Sequence, residues 1–152
     1  MSTYTDLGIE LMVTGENAGT WGTKTNNNLN LIEQLTGGFA TVSIAGGAGT
    51  TALDVDDGAL TGTAQQRVIE FTGSISGNRI VTIPNDVETF YILKNSTTGA
   101  NTVQFKYATG SGANTTFSAT DKGIKIVYAS ASPDATNPII VDVMANSSEI
   151  AL

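Results

Sequence analysis

The candidate side chains for acid–base or metal chemistry in this sequence are carboxylates. The chain has no histidine and no cysteine, which excludes thiol nucleophiles, imidazole catalysis, thiolate or imidazole metal sites and disulfide bonds. The densest acidic group is Asp54-Val55-Asp56-Asp57-Gly58, and a calcium ion needs several oxygen ligands from such a short turn. The twelfth position counted from Asp54 is Gln65 rather than the glutamate of an EF-hand. We therefore interpret the group as a turn, and expect no metal and no cofactor.

Asp86 and Glu88 form a second pair of neighbouring carboxylates. Glycoside hydrolysis needs only two acids about 5 to 9.5 Å apart. Both residues fall between predicted strands, and the chain has Phe 5, Tyr 4 and Trp 1, which are too few aromatics for a long sugar-stacking platform. We therefore predict that the protein is not an enzyme.

The charge of the chain argues against nucleic acid and membrane partners. The net charge is −7 and the acids are concentrated early, because residues 1–66 hold seven of them and a single base, Lys24. Such a surface repels phosphate backbones and anionic lipid headgroups. The first residues lack the basic start and apolar core of a secretory signal, and no apolar run is long enough to span a membrane. We expect synthesis in the cytoplasm and no membrane insertion.

Residues 39–152 are predicted to form a β body. Short apolar runs with a period of two recur about every ten residues, separated by Gly, Ser, Asn or Pro. The segments 74–78 and 95–101 suit hairpins, which favours antiparallel connection. The fold class is therefore mainly β, an antiparallel β-sandwich or small barrel of about nine strands without a convincing internal repeat. The predicted strands are 39–44, 51–55, 67–73, 79–83, 89–94, 102–107, 115–119, 123–128 and 138–143.

Residues 1–38 are predicted to form an N-terminal attachment segment, separate from the β body. Apolar residues alternate over residues 7–13, as in a short half-buried strand. A loop rich in glycine and asparagine follows. The spacing then predicts one short helix over residues 23–35, with Thr23 as its N-cap.

Trp21 is the only tryptophan of the chain and lies in this polar loop, between Gly19 and Gly22. It could pack on the following helix as a core residue of its own segment. It could instead anchor a contact with another molecule, where tryptophan is over-represented. Both interpretations remain open from the sequence.

The N-terminal motif resembles a known family. Val13–Asn30, with the string GENAGTWGTKTNNN, resembles the N-terminal region of tail-fibre and related virion proteins of tailed bacteriophages, especially marine ones, in which GExxGTWGxxTNxN leads into a short helix. The later runs Val68–Pro84 and Tyr91–Ala100 resemble the β module that follows in the same proteins.

The resemblance implies a homotrimeric structural protein on the outside of a phage particle. It would be a short tail fibre or a fibre adaptor, or alternatively a capsid decoration protein such as a knob or head fibre. Its partners would be copies of itself and other virion proteins of the tail or capsid. A host-glycan-binding module is a competing class. The matched positions carried over as attachment residues are Gly15, Glu16, Gly19, Thr20, Trp21, Gly22 and Thr25.

Overall fold

The computed structural model describes residues 1–131 and 136–145, and this part of the chain is mainly β with a single helix. It contains eleven strands in three sheets. The elements are β1 (Thr3–Tyr4), β2 (Glu10–Leu11), α1 (Trp21–Gly37), β3 (Phe39–Ser43), β4 (Gly49–Ala52), β5 (Val68–Thr72), β6 (Arg79–Ile83), β7 (Glu88–Asn95), β8 (Val103–Tyr107), β9 (Thr115–Phe117), β10 (Ile124–Ser130) and β11 (Ile140–Asp142).

The alternation of apolar residues located the strands of the body, but it did not predict every strand of the structure. Each of the nine predicted runs overlaps one strand, β3 to β11, the separate strand predicted over residues 7–13 contains β2, and β1 was not predicted. The predicted count of about nine is therefore too low. The helix begins at Trp21 rather than after Thr23, and its N-cap is Thr20. A turn before it explains the earlier start, because the Thr20 and Trp21 N–H groups both donate to the Asn17 carbonyl at 2.8 Å.

The predicted antiparallel connection is wrong for the six central strands. From β3 to β8 the chain alternates between a five-stranded and a four-stranded sheet, and each strand from β5 on pairs in parallel with the strand two places earlier. The chain therefore winds through three stacked coils: coil 1 is β3 and β4, coil 2 is β5 and β6, and coil 3 is β7 and β8. Among the described residues, antiparallel pairing is confined to β1 with β2, β8 with β9, and β10 with β7 and β11.

The two predicted hairpin loops are arches between the sheets. Residues 74–78 connect β5 with β6, and residues 95–101 follow β7 on the way to β8, so each loop leads from one sheet to the other. A short loop cannot make a parallel crossover within one sheet, but it can reach the opposite sheet. The arches also stack, because the Ile75 N–H donates to the Thr98 carbonyl at 2.9 Å.

Coils 2 and 3 form a structural repeat, although the sequence shows no convincing internal repeat. Val68 pairs with Ile92 and Arg79 with Val103, an offset of 24 residues in both sheets. The repeat concerns the direction of the chain and the alternation of apolar positions rather than residue identity. In the sequence, the segments 67–83 and 89–107 show this repeat only as a similar length and texture.

One core lies between the two larger sheets. The Phe105 ring of the four-stranded sheet packs at 6.3 Å from the Phe71 ring and 5.7 Å from the Tyr91 ring of the five-stranded sheet, measured between centroids. In the described residues β11 and β3 end one sheet and β4 and β9 end the other, so no closed barrel forms. Residues 146–152 of the predicted body lie outside the described residues.

Candidate functional site

A side chain of α1 holds the N-terminal segment in place by forming the two backbone hydrogen bonds that a neighbouring strand would otherwise form. β1 and β2 pair antiparallel, and β2 then meets Asn28 on α1. The Asn28 amide donates to the Glu10 carbonyl at 2.8 Å, and its oxygen accepts from the Glu10 N–H at 2.9 Å. Both backbone groups of Glu10 are thus satisfied by one side chain, which sets the position of the segment on the helix.

The Glu10 carboxylate is the electrostatic centre of this segment. Only 4% of the residue is exposed, and its oxygens meet the Ser2 hydroxyl at 2.7 Å, the Asn17 amide at 3.0 Å and the Lys24 ammonium at 3.1 Å. The hydrogen bonds from Ser2, Asn17 and Lys24, together with the Lys24 charge, hold the pKa of Glu10 below its usual 4.5. A charged Glu10 therefore holds together the chain start, the loop and the helix.

The alternation over residues 7–13 predicted the buried face only in its first part. Leu7 packs against the core, whereas the polar Glu10 is buried, and Leu11 is 51% and Val13 is 55% exposed. The buried face is reversed from Glu10 on because β2 packs against polar side chains of α1. The reversal leaves apolar side chains on the surface beside the loop.

Gln65 connects the segment with the β body. Its side chain is fully buried; its Nε2 donates to the Leu7 carbonyl at 2.8 Å and its Oε1 accepts from the Asp56 N–H at 3.1 Å. The Gln65 carbonyl in turn accepts from Gln34 Nε2 of α1 at 3.0 Å. The buried amide of Gln65 thus joins the N-terminal segment to the 53–67 loop, and its backbone carbonyl joins that loop to the helix.

The predicted attachment residues lie together along the loop and the first turns of α1. Gly15 and Gly19 have φ of 88° and 80°, which glycine adopts without strain. The Glu16 carboxylate contacts the Met1 amino group and accepts from the Ser2 hydroxyl at 3.1 Å. These contacts bend the loop back onto the chain start.

The remaining attachment residues are Thr20, Trp21, Gly22 and Thr25. Thr20 is the N-cap and the other three lie in the first two turns of α1. Trp21 is 65% exposed, which disagrees with the interpretation of this residue as part of a core.

Trp21 continues into an exposed apolar stripe on the helix. Leu29 is 58% and Ile32 is 46% exposed, whereas Leu31 is fully buried. Positions 21, 25, 29 and 32 fall on one side of a helix, so Trp21, Leu29 and Ile32 form what we call the Trp21 stripe. Neither Glu10 nor Gln65, which hold this helix in place, was predicted from the sequence.

The other carboxylates are used in turns and surface pairs. Asp54 accepts from the Thr63 N–H at 2.9 Å, and hydrogen bonds from the Thr63 side chain and backbone lower the pKa of Asp54. Glu88 accepts from the Tyr128 hydroxyl at 3.0 Å, while Asp86 lines a cavity of about 320 Å³. Among residues 1–131 and 136–145 no three carboxylates are grouped as metal ligands would be.

Comparison with known proteins found no match for this chain. No protein-family model, curated protein or solved structure matches it.

Among the described residues, α1 does not have the length and apolar character that a membrane-spanning helix requires.

Proposed function

We propose that this protein is a structural component of a bacteriophage virion that docks on the particle through its N-terminal segment. The observation that carries the proposal is the exposed Trp21 at the start of α1, within the motif that resembles phage tail-fibre proteins. A short tail fibre or a fibre adaptor is the form we favour. A capsid decoration protein is the alternative, since it would dock through the same segment.

The surroundings of Trp21 support a docking role. Trp21 and the neighbouring Leu29 and Ile32 are exposed, and tryptophan is enriched among the residues that dominate binding energy. The helix that carries them is held by the buried Glu10 and Gln65. A preorganised anchor loses little conformational entropy on binding, which raises affinity.

The proposal includes the assembly and the finer fold. We infer that the two larger sheets form a β-sandwich, which is supported by the aromatic contacts that join them. We also infer a homotrimer, as the resemblance implies, with the stripe buried between copies or against another virion protein. Its location would be the surface of the virion.

Two measurements test the proposal. An antibody against the chain should label purified particles of the phage that encodes it, at the tail for a fibre or adaptor and over the head for a decoration protein. Absence of the chain from purified particles would overturn the proposal.

The second measurement compares Trp21→Ala with Ile124→Ala, a control at an exposed position of β10 with 62% exposure. Trp21→Ala should weaken incorporation by about 2 kcal/mol or more, as truncation of a binding hot spot does. Its unfolding free energy should fall by less than the ~3 to 5 kcal/mol of a core aromatic. Ile124→Ala should incorporate normally, and equal incorporation of both variants would contradict docking through Trp21.

A further inference from the structure

Coil 1 presents two unpaired strand edges at one end of the coil stack. β3 ends the five-stranded sheet and β4 ends the four-stranded sheet, and no described strand pairs with their outer edges. The N–H groups of Ile44 and Gly46 donate inward, to carbonyls of coil 2 at 2.9 and 3.0 Å. Because alternate residues bond to a parallel neighbour, the backbone groups of Phe39, Thr41 and Ser43 point away from the stack.

The core is also open at this end. Ala40 and Val42 pair with Ile69 and Phe71 of coil 2. Ile69 and Phe71 are fully buried, whereas Ala40 and Val42 are only half-buried. Each inward side chain of β3 thus has a neighbouring strand on one side only, whereas each inward side chain of β5 has one on both sides.

The residues of coil 1 include neither charges nor prolines, two of the features that protect edge strands. Natural edges are blocked by charges, prolines, bulges or covering segments. Residues 39–52 contain no charged residue and no proline in a chain of net charge −7. The opposite end of the stack is covered, because β9 pairs with β8 and β10 pairs with β7. Within the described residues, the unprotected end of the coil stack is therefore coil 1.

We propose that coil 1 is the interface with a second copy of this chain, joined head to head. A two-fold axis normal to the sheets places β3 antiparallel to β3 and β4 antiparallel to β4 of the second copy. A single extended peptide would pair with only one of the two edges, whereas another coil 1 pairs with both. No residue of β3 or β4 is charged, and the nearby Arg79 guanidinium is held within its own copy by the Gly47 carbonyl and the Thr51 hydroxyl, both at 2.8 Å.

The symmetry fixes the register and closes the assembly. Full overlap of β3 puts its central residue, Thr41, on the axis opposite Thr41 of the second copy, and threonine pairs are favourable across strands. The interface is isologous and the other end of each stack is covered, so growth along the stack stops at two copies rather than continuing as a filament, whatever contacts the Trp21 stripe makes. The pairing does not use the Trp21 stripe and stands independently of the proposed virion role.

Sedimentation of the full chain at tens of micromolar tests the pairing. Thr41→Lys places a charge on the axis, and Thr116→Lys is the matched control on β9, the opposite edge of the four-stranded sheet. Thr41→Lys should raise the dissociation constant between copies at least tenfold, while the wild type and Thr116→Lys associate alike. Thr41→Pro should act like Thr41→Lys, because the Thr41 N–H points outward. A monomeric wild type, or association that survives both Thr41 variants in a chain that also carries Trp21→Ala, would overturn the proposal.

Cysteine crosslinking tests the register. The chain has no native cysteine, so Thr41→Cys introduces a single thiol. Antiparallel residues that exchange both hydrogen bonds have Cα atoms about 5.5 Å apart, which permits a disulfide. Mild oxidation should convert Thr41→Cys to a covalent dimer and leave Thr116→Cys monomeric on a non-reducing gel. Equal crosslinking of the two variants would overturn the pairing. Trp21→Ala should not change the crosslinking, which separates this test from that of the virion role.

Discussion

Replacing Gln65 should loosen the N-terminal segment and destabilise the whole chain. Gln65→Leu keeps the size of the side chain but removes the amide that bonds to the Leu7 carbonyl and the Asp56 N–H, at 2.8 and 3.1 Å. A buried polar group left without its partner costs about 1–3 kcal/mol. Two such groups, offset by the added apolar contact of leucine, give a net loss of about 2–4 kcal/mol.

Equilibrium unfolding in urea measures this loss directly. The midpoint should fall while the slope of the transition stays constant, as for a change of stability alone. In a thermal scan the same loss corresponds to about 5–15 °C, since 1 kcal/mol shifts the melting temperature by ~2–4 °C in a chain of this size.

Gln66→Leu is the matched control. Gln66 is the next residue, is half-buried and lines the surface cleft beside the end of α1. Its replacement should change stability by less than about 0.5 kcal/mol. If Gln65→Leu unfolds like wild type, or if both variants lose stability equally, the argument that one buried amide holds the segment is wrong.

Two further predictions concern a buried carboxylate and a buried hydroxyl. Because the pKa of Glu10 lies below 4.5 in the folded chain, its contribution to stability is present above that pH and is lost as the pH falls below it. The difference in melting temperature between wild type and Glu10→Gln should therefore shrink as the pH is lowered below 4.5, and a constant difference would contradict the assignment. Tyr91→Phe removes the donor to the Ala64 carbonyl at 2.7 Å and should cost about 1–3 kcal/mol in urea unfolding. Tyr128→Phe removes a hydroxyl that donates to the exposed Glu88 carboxylate, and it should lower the unfolding free energy by less than about 0.5 kcal/mol.

The sequence located the strands of the body because alternation marks a buried face. Ile69 and Phe71 of β5 are fully buried, as the run around them predicted. Alternation does not say which strand lies alongside or in which direction it runs. A turn such as 74–78 can close a hairpin or an arch with the same residues, so the parallel coils were missed.

The sequence predicted where the candidate site lies but not the contacts that hold it in place. The motif around Trp21 was recognised by its spacing, yet the start of the helix depends on a turn at Asn17, whose φ of 59° is uncommon for a residue other than glycine. Gln65 was missed because its side chain bonds to Leu7, 58 positions away. No local pattern reports a contact between such distant residues.

The winding of the chain also determines how it can fold. Every parallel ladder of the coils joins residues at least 24 positions apart, as Val68 and Ile92 are. The entropy of closing each turn must be lost before its ladder and core contacts form. Folding rates fall as contacts become less local, so a domain of this kind folds in milliseconds to seconds rather than microseconds. During synthesis, coil 1 leaves the ribosome before coil 2, the first strands with which it can pair, and must remain unpaired until they follow.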